Sequence, residues 1–248
     1  MSTYYKILPQ NLKCRGFQYH EGLNIDTNKI DAEECSYGLH FSDAEHILYF
    51  YGYGTIIAEV EIPEDAVVYH FGDKSKADRI ILKNLRPLWT VDTMNTFIQK
   101  SVNFEDYKGE VIYEALCNDY PDVAKYLIEH GTNTNETYAY ALSGACGFGH
   151  LDIVKFLAEQ GVDIHNEDDY ALRKATRYGY FDIVKYLVEQ GANIHVSDDY
   201  ALRLASERGY LNVVVYLVGQ GADIHTYDDY AIRYAGTPEI KEYLKSLA

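Results

Sequence analysis

The sequence predicts an α+β domain over residues 1–105 followed by an all-α solenoid over residues 106–248. Three observations predict it. From about Tyr107 the chain repeats itself every thirty residues, whereas the first hundred residues show no such period and read as short strands. The composition, 47% apolar and 24% charged over 248 residues, is that of a globular chain large enough for two cores.

In chain order, the first domain offers strands at Tyr4–Leu8, Gly16–His20, Gly38–Ser42, Thr55–Ile62, Ala66–Phe71 and Arg79–Leu85. Ser42-Asp43-Ala44-Glu45 is a capping box ahead of Ile47 and Leu48, so a helix is expected from Asp43 to Tyr51. A second helix is expected over Thr93 to Val102, leading into the repeats, and Asp73-Lys74-Ser75-Lys76 reads as a solvated turn. Cys14, His20, Cys35 and His40 form a Cys/His foursome. Their gaps of five and four residues fit poorly with zinc sites, which leave about two to four between paired ligands. They read as core thiols and ordinary histidines, and neither a metal nor a cofactor is expected.

In the second region Asp168-Asp169-Tyr170-Ala171 recurs at Asp198-Asp199-Tyr200-Ala201 and Asp228-Asp229-Tyr230-Ala231. Gly131, Gly161, Gly191 and Gly221 keep the same register, as do the Ile-His pairs ending at His165, His195 and His225. Each unit reads as two helices. The first, near Asp168 to Tyr178, is opened by aspartates able to accept first-turn amides and closed by Gly179. The second, Phe181 to Gln190, carries the stripe Ile183, Val184, Leu187 and Val188 and ends at Gly191. Such a unit cannot bury its own stripe, so copies must stack. Five units are expected, near 107–131, 138–161, 168–191, 198–221 and 228–248; the first lacks the Asp-Asp-Tyr opening and the last loses three residues between its helices.

The string Gly149-His150-Leu151-Asp152-Ile153-Val154-Lys155-Phe156-Leu157-Ala158-Glu159-Gln160-Gly161-Val162-Asp163-Ile164 resembles the second helix and following turn of an ankyrin repeat. The units are shorter than that family's, and its Thr-Pro-Leu-His becomes Tyr170-Ala171-Leu172-Arg173, so shortened fingers are expected. The Asp-Asp-Tyr-Ala variant, with 25 tyrosines in the chain, resembles the ankyrin-repeat proteins of giant amoeba-infecting viruses such as mimivirus. What the resemblance implies is non-enzymatic binding of a host or viral protein through the first helices.

Comparing copies separates scaffold from contact. Arg173, Arg203 and Arg233 recur beside the aspartates and are expected to form a carboxylate ladder between units, and the repeated histidines a structural hydrogen bond. The varied columns are the candidate binding residues: Phe148, His150, Lys174, Arg177, Tyr178, Tyr180, Leu204, Glu207, Arg208 and Tyr210. Thirty-eight acids against twenty-two Lys and Arg give a net charge of -16, which argues against nucleic acid or an anionic membrane as partner. Residues 106–248 carry 23 acids and 12 bases, net -11, and favour a partner with a basic surface.

Two other readings stand beside this one. Tyr19-His20-Glu21-Gly22, Gly38-Leu39-His40-Phe41-Ser42 and Ile57-Ala58-Glu59-Val60-Glu61 resemble the N-terminal half of an ADP-ribosyltransferase fold, with His20 in the cofactor-gripping place. However, His40 stands where a Tyr belongs and no suitable late Glu follows. The domain also resembles a small uncharacterised phage and bacterial module with a Gly-aromatic-His-Phe motif, which implies no activity. A structural viral component that self-associates through the Tyr-rich face is the remaining alternative. The longest uncharged stretch, the twelve residues Ile47 to Ala58, is too short for a membrane span of about twenty, so a soluble chain is expected. Four scattered cysteines read as reduced thiols in a cytosolic or nuclear compartment, with the cytoplasm, the host's if viral, as the expected location.

Overall fold

The computed structural model describes residues 3–28, 38–43, 46–99, 108–130 and 134–248. They fall into two compact units, residues 1–115 with 122–132, and residues 116–121 with 133–248.

The first unit is built on β1 (Tyr4–Leu8), β2 (Lys13–Cys14), β3 (Phe17–Gln18), β4 (Gly22–Ile25), β5 (Leu39–Asp43), β6 (Ile56–Glu61), β7 (Val68–Phe71), β8 (Lys74–Ala77) and β9 (Arg79–Pro87). Among the described residues, seven of these form one antiparallel sheet in the order β4-β9-β6-β1-β5-β8-β7, and β2 pairs with β3 as a separate hairpin. Strand β1 runs between β6 (Tyr4 opposite Val60, Leu8 opposite Ile56) and β5 (Tyr5 opposite Ser42), so its residues from Tyr5 to Leu8 are all buried. One face gathers Leu8, Leu39, Phe41, Ala58, Val60, Ala77, Ile80 and Leu82 with Tyr19, and Cys14 and Phe17 of the hairpin pack on it. On Tyr5, which points the other way, lies Phe97 of α1 (Val91–Gln99), ring centroids 5.3 Å apart.

Two local expectations differ from the structure, and one strand has no counterpart among them. A 3-10 helix, Ile47–Tyr53, replaces the helix expected from Asp43, which still belongs to β5. The run Leu48-Tyr49-Phe50-Tyr51, broken by Gly52, has too few good helix formers for longer growth. Lys74, Ser75 and Lys76 are strand, not turn, and Lys76 is fully buried with its ammonium 5.6 Å from the Phe71 ring centroid. Strand β4 was not expected because its pattern is inverted. Asn24 is buried, donating to the carbonyls of His20 and Gly22, while Leu23 and Ile25 are exposed on an edge strand.

Helices α2 (Lys108–Cys117) and α3 (Pro121–His130) follow, then four hairpins in the second unit: α4 (Asn135–Phe148) with α5 (Leu151–Glu159), α6 (Asn166–Tyr178) with α7 (Phe181–Glu189), α8 (Val196–Arg208) with α9 (Leu211–Gly219), and α10 (Thr226–Arg233) with α11 (Pro238–Lys245). First helices stack on first helices and second on second. Between them are buried Ala171, Leu172, Ala175, Ile183, Val184 and Leu187 and their equivalents, at roughly 2 kcal/mol for each large side chain. Gly161, Gly191 and Gly221 occupy equivalent left-handed corners, φ 79, 102 and 99°. The amide after each closes a Schellman turn, as Ala192 does on Leu187 O at 3.0 Å.

Candidate functional site

The units differ from a simple helix pair where the first helix begins. Residues Glu167–Asp169, Ser197–Asp199 and Tyr227–Asp229 are left-handed, φ 50–57°, so a tight left-handed turn precedes each right-handed helix. Single left-handed residues are the rule for side chains with a Cβ, and three in succession need support. The repeated Arg supplies it. Arg203 donates from Nε to Asp198 O (2.9 Å) and from Nη2 to Ser197 O (2.7 Å), and Arg173 donates to Glu167 O (2.8 Å). The expected Arg-to-carboxylate ladder is therefore replaced by Arg-to-carbonyl bonds within each unit.

Nor do the aspartates cap the helix. The second of each pair accepts from the repeated histidine four residues before it, His165 Nδ1 to Asp169 at 2.7 Å and His195 Nδ1 to Asp199 at 2.9 Å. In the inner copies it also accepts an amide of the following unit, Asn193 N to Asp169 (2.9 Å) and Asp223 N to Asp199 (3.2 Å). Asp169 and Asp199 are buried, and this link ties one hairpin to the next.

The ten candidate residues separate into two groups. Arg177, Tyr178, Glu207 and Arg208 are exposed on the first helices. Leu204 is buried at 6% exposure, and Lys174 is half-buried with its stem against Gly147. Tyr180 and Tyr210 lie against Gly149 and Gly179 of the preceding unit, where a methyl group would stand 2.6 and 2.7 Å from the ring. His150 Nε2 donates to Leu116 O at 2.8 Å, and Phe148 is half-buried. Leu204, His150, Tyr180 and Tyr210 thus sit in the stack rather than on an open surface.

Tyr170, Tyr200 and Tyr230 are identical across the copies and are not among the ten candidates. Yet Tyr170 is 38% exposed, and it shares a helix side with Arg173, Lys174, Arg177 and Tyr178 at i+3, i+4, i+7 and i+8, the spacing that could have revealed it. Arg203 lies 4.7 and 5.4 Å from the Tyr227 and Tyr230 ring centroids of the next unit, and Tyr230 and Tyr234 are 4.5 Å apart. Tyr230 OH donates to Glu207 at 3.0 Å, which raises the tyrosine pKa. Exposed Glu167, Asp168, Asp198 and Asp228 edge this aromatic and cationic face at the left-handed turns.

In the first unit, His20 is exposed with Nδ1 donating to Glu21 O at 2.9 Å. Cys35 lies outside the described residues. Among those described, no group of three His, Cys, Asp or Glu side chains is placed to hold a metal ion, and the Cys146 thiol is buried.

A family model for ankyrin repeats matches residues 112–198 and 142–228. The stacked hairpins are ankyrin repeats. Two proteins of Acanthamoeba polyphaga mimivirus, each named "Putative ankyrin repeat protein", are similar to this chain. One is 30% identical over 137 residues, 52% of this chain and 41% of that protein; the other is 28% identical over 139 residues, 52% of this chain and 68% of that protein. The chain thus spans about two fifths of the first relative's length and about two thirds of the second's. Residues 2–91, ahead of the ankyrin repeats, match a domain of unknown function, DUF7666.

Proposed function

We propose that the ankyrin repeats hold a protein partner against the exposed side of their first helices, in the cytoplasm of a virus-infected host cell. The observation that carries this reading is the run of Tyr170, Arg173, Arg177, Tyr178, Arg203, Arg208, Tyr227 and Tyr234. It combines the residue types that dominate interface hot spots on a stack rigidified by its own hydrogen bonds. The acidic turn edge would meet the basic surface of the partner, while the cationic helix side offers pairing to its carboxylates. Nucleic acid is disfavoured by the net charge of -16. The reading is that of an interaction protein, not an enzyme.

The test is capture from infected amoebal lysate with the full chain as bait. Changing Arg177, Tyr178 and Arg208 together to Ala should remove a partner that wild type retains. Changing Lys185 and Val215, exposed on second helices, should not. Equal loss in both variants, or loss in neither, would rule out the first-helix side.

A further inference from the structure

The first unit encloses a cavity of about 540 Å³ between the β2–β3 hairpin, β5 and the 3-10 helix, a size that suits a small organic ligand. Its lining brings Lys6, Arg15 and Lys74 together with Phe17, Phe41 and Tyr53. Three cations on one cavity are a local departure in a chain of net charge -16.

Lys6 is the unusual member. It sits in the interior of β1, 7% exposed, with Nζ donating to His40 O and 4.6 Å from the Tyr19 ring centroid. Among the described residues no carboxylate lies within ion-pair distance of it. Asp26, an acid on the lining, is already engaged: Oδ1 accepts from the amide and side chain of Asn28 (2.9 and 2.8 Å) and Oδ2 from Gly38 N (3.0 Å). Among the described residues, an ammonium with three donors therefore meets one carbonyl and a ring face, with no carboxylate paired to it. Burial lowers its pKa to about 8, so it remains a cation at neutral pH. An uncompensated buried charge costs folding stability, and an anion bound beside it would relieve that cost.

Arg15 adds a second reason. The hairpin turn Arg15-Gly16 has both residues left-handed, φ 48 and 84°, the geometry of a type I′ turn, which normally takes Asn-Gly. An arginine in that place carries backbone strain, and Arg15 is part of the cavity lining.

We propose that this cavity binds a small aromatic anion, a planar ring bearing a carboxylate or phosphate, with the negative group on Lys6 and Arg15 and the ring among Phe17, Phe41 and Tyr53. The aromatic lining distinguishes it from a site for a bare inorganic anion, and the buried Lys6 ammonium disfavours a cationic ligand. The inference is independent of the repeat surface.

The experiment is calorimetric titration of the full chain at pH 7 with 1-naphthoate and adenosine monophosphate, their neutral counterparts naphthamide and adenosine, and inorganic phosphate. At least one charged ring should bind tenfold or more tightly than its neutral counterpart and than phosphate; which one decides between carboxylate and phosphate. Lys6→Met should abolish the preference, Lys6→Arg should keep it, and unliganded Lys6→Met should melt at a higher temperature than wild type. Equal binding of charged and neutral rings, no binding of either charged ring at millimolar concentration, an unchanged preference in Lys6→Met, or a Lys6→Met chain that melts lower or fails to fold would each overturn the proposal.

Discussion

The two units treat buried charge in opposite ways. In the repeats, Asp169 and Asp199 are sunk in the stack but surrounded by donors of the chain itself, a histidine from their own unit and an amide from the next. In the sheet, Lys6 is equally buried and meets one carbonyl. The first arrangement spends its polar groups on rigidity and leaves recognition to the surface. The second leaves a buried ammonium with no carboxylate within ion-pair distance among the described residues, the deficit that the proposed ligand would fill. Removing the charged group should therefore destabilise one unit and stabilise the other.

The largest expected effect is on Lys6 and is read by pH. Its folded pKa, about 8, lies below the ordinary 10.5, so the unfolded chain binds the proton more tightly. The penalty is then fully present below pH 8 and is relieved as pH rises from 8 towards 10.5. Lys6→Met removes it. At pH 7 the variant should be more stable by up to about 3 kcal/mol, the free-energy equivalent of the pKa displacement. By pH 10 the advantage should be largely gone, as measured by paired urea unfolding at both pH values. A difference that does not change with pH would mean the ammonium is compensated.

The counterpart is Asp199→Ala, which strips a buried amide and a histidine of their acceptor and should cost about 2 kcal/mol. Asp229 holds the same place in the last unit, but half its side chain is exposed and it bonds only His225. Asp229→Ala should cost about 0.5 kcal/mol or less. Thermal unfolding of the two variants gives the contrast directly, and equal losses would deny that the inter-unit bond matters.

Much of the stack was legible because the chain states it several times. A glycine recurring at thirty-residue spacing must serve the same corner in each copy, and Gly161, Gly191 and Gly221 do. Identity and variation across the copies do not track exposure one for one. Lys174 fills the space beside Gly147, and Leu204 is buried. Tyr170 repeats yet stands in solvent, because its ring braces an arginine that every unit needs. The left-handed turns had no signal in the pattern, since the aspartates that form them are also good helix caps. In the sheet each strand occurs once, so nothing corrects a misread one. Lysines at alternate positions hid β8, and the buried Asn24 hid β4. Lys6 was in view throughout, as the single charge inside the otherwise apolar β1, a pattern that a strand buried on both faces does not tolerate without cause.

The smallest effects separate stack residues from contact residues. Gly179 and Gly191 are both left-handed, φ 75 and 102°, so an alanine at either carries about 1 kcal/mol of backbone strain. At Gly191 nothing lies within 4 Å of the added methyl, whereas at Gly179 it meets the Tyr210 ring at 2.7 Å. Gly179→Ala should thus cost about 1 kcal/mol more than Gly191→Ala. That excess should vanish in a Tyr210→Ala background, where the ring is gone, while the cost of Gly191→Ala stays as it was. A double-mutant cycle on urea unfolding measures the coupling. If Gly179→Ala costs the same with and without Tyr210, the ring rests on nothing and returns to the list of residues free to meet a partner.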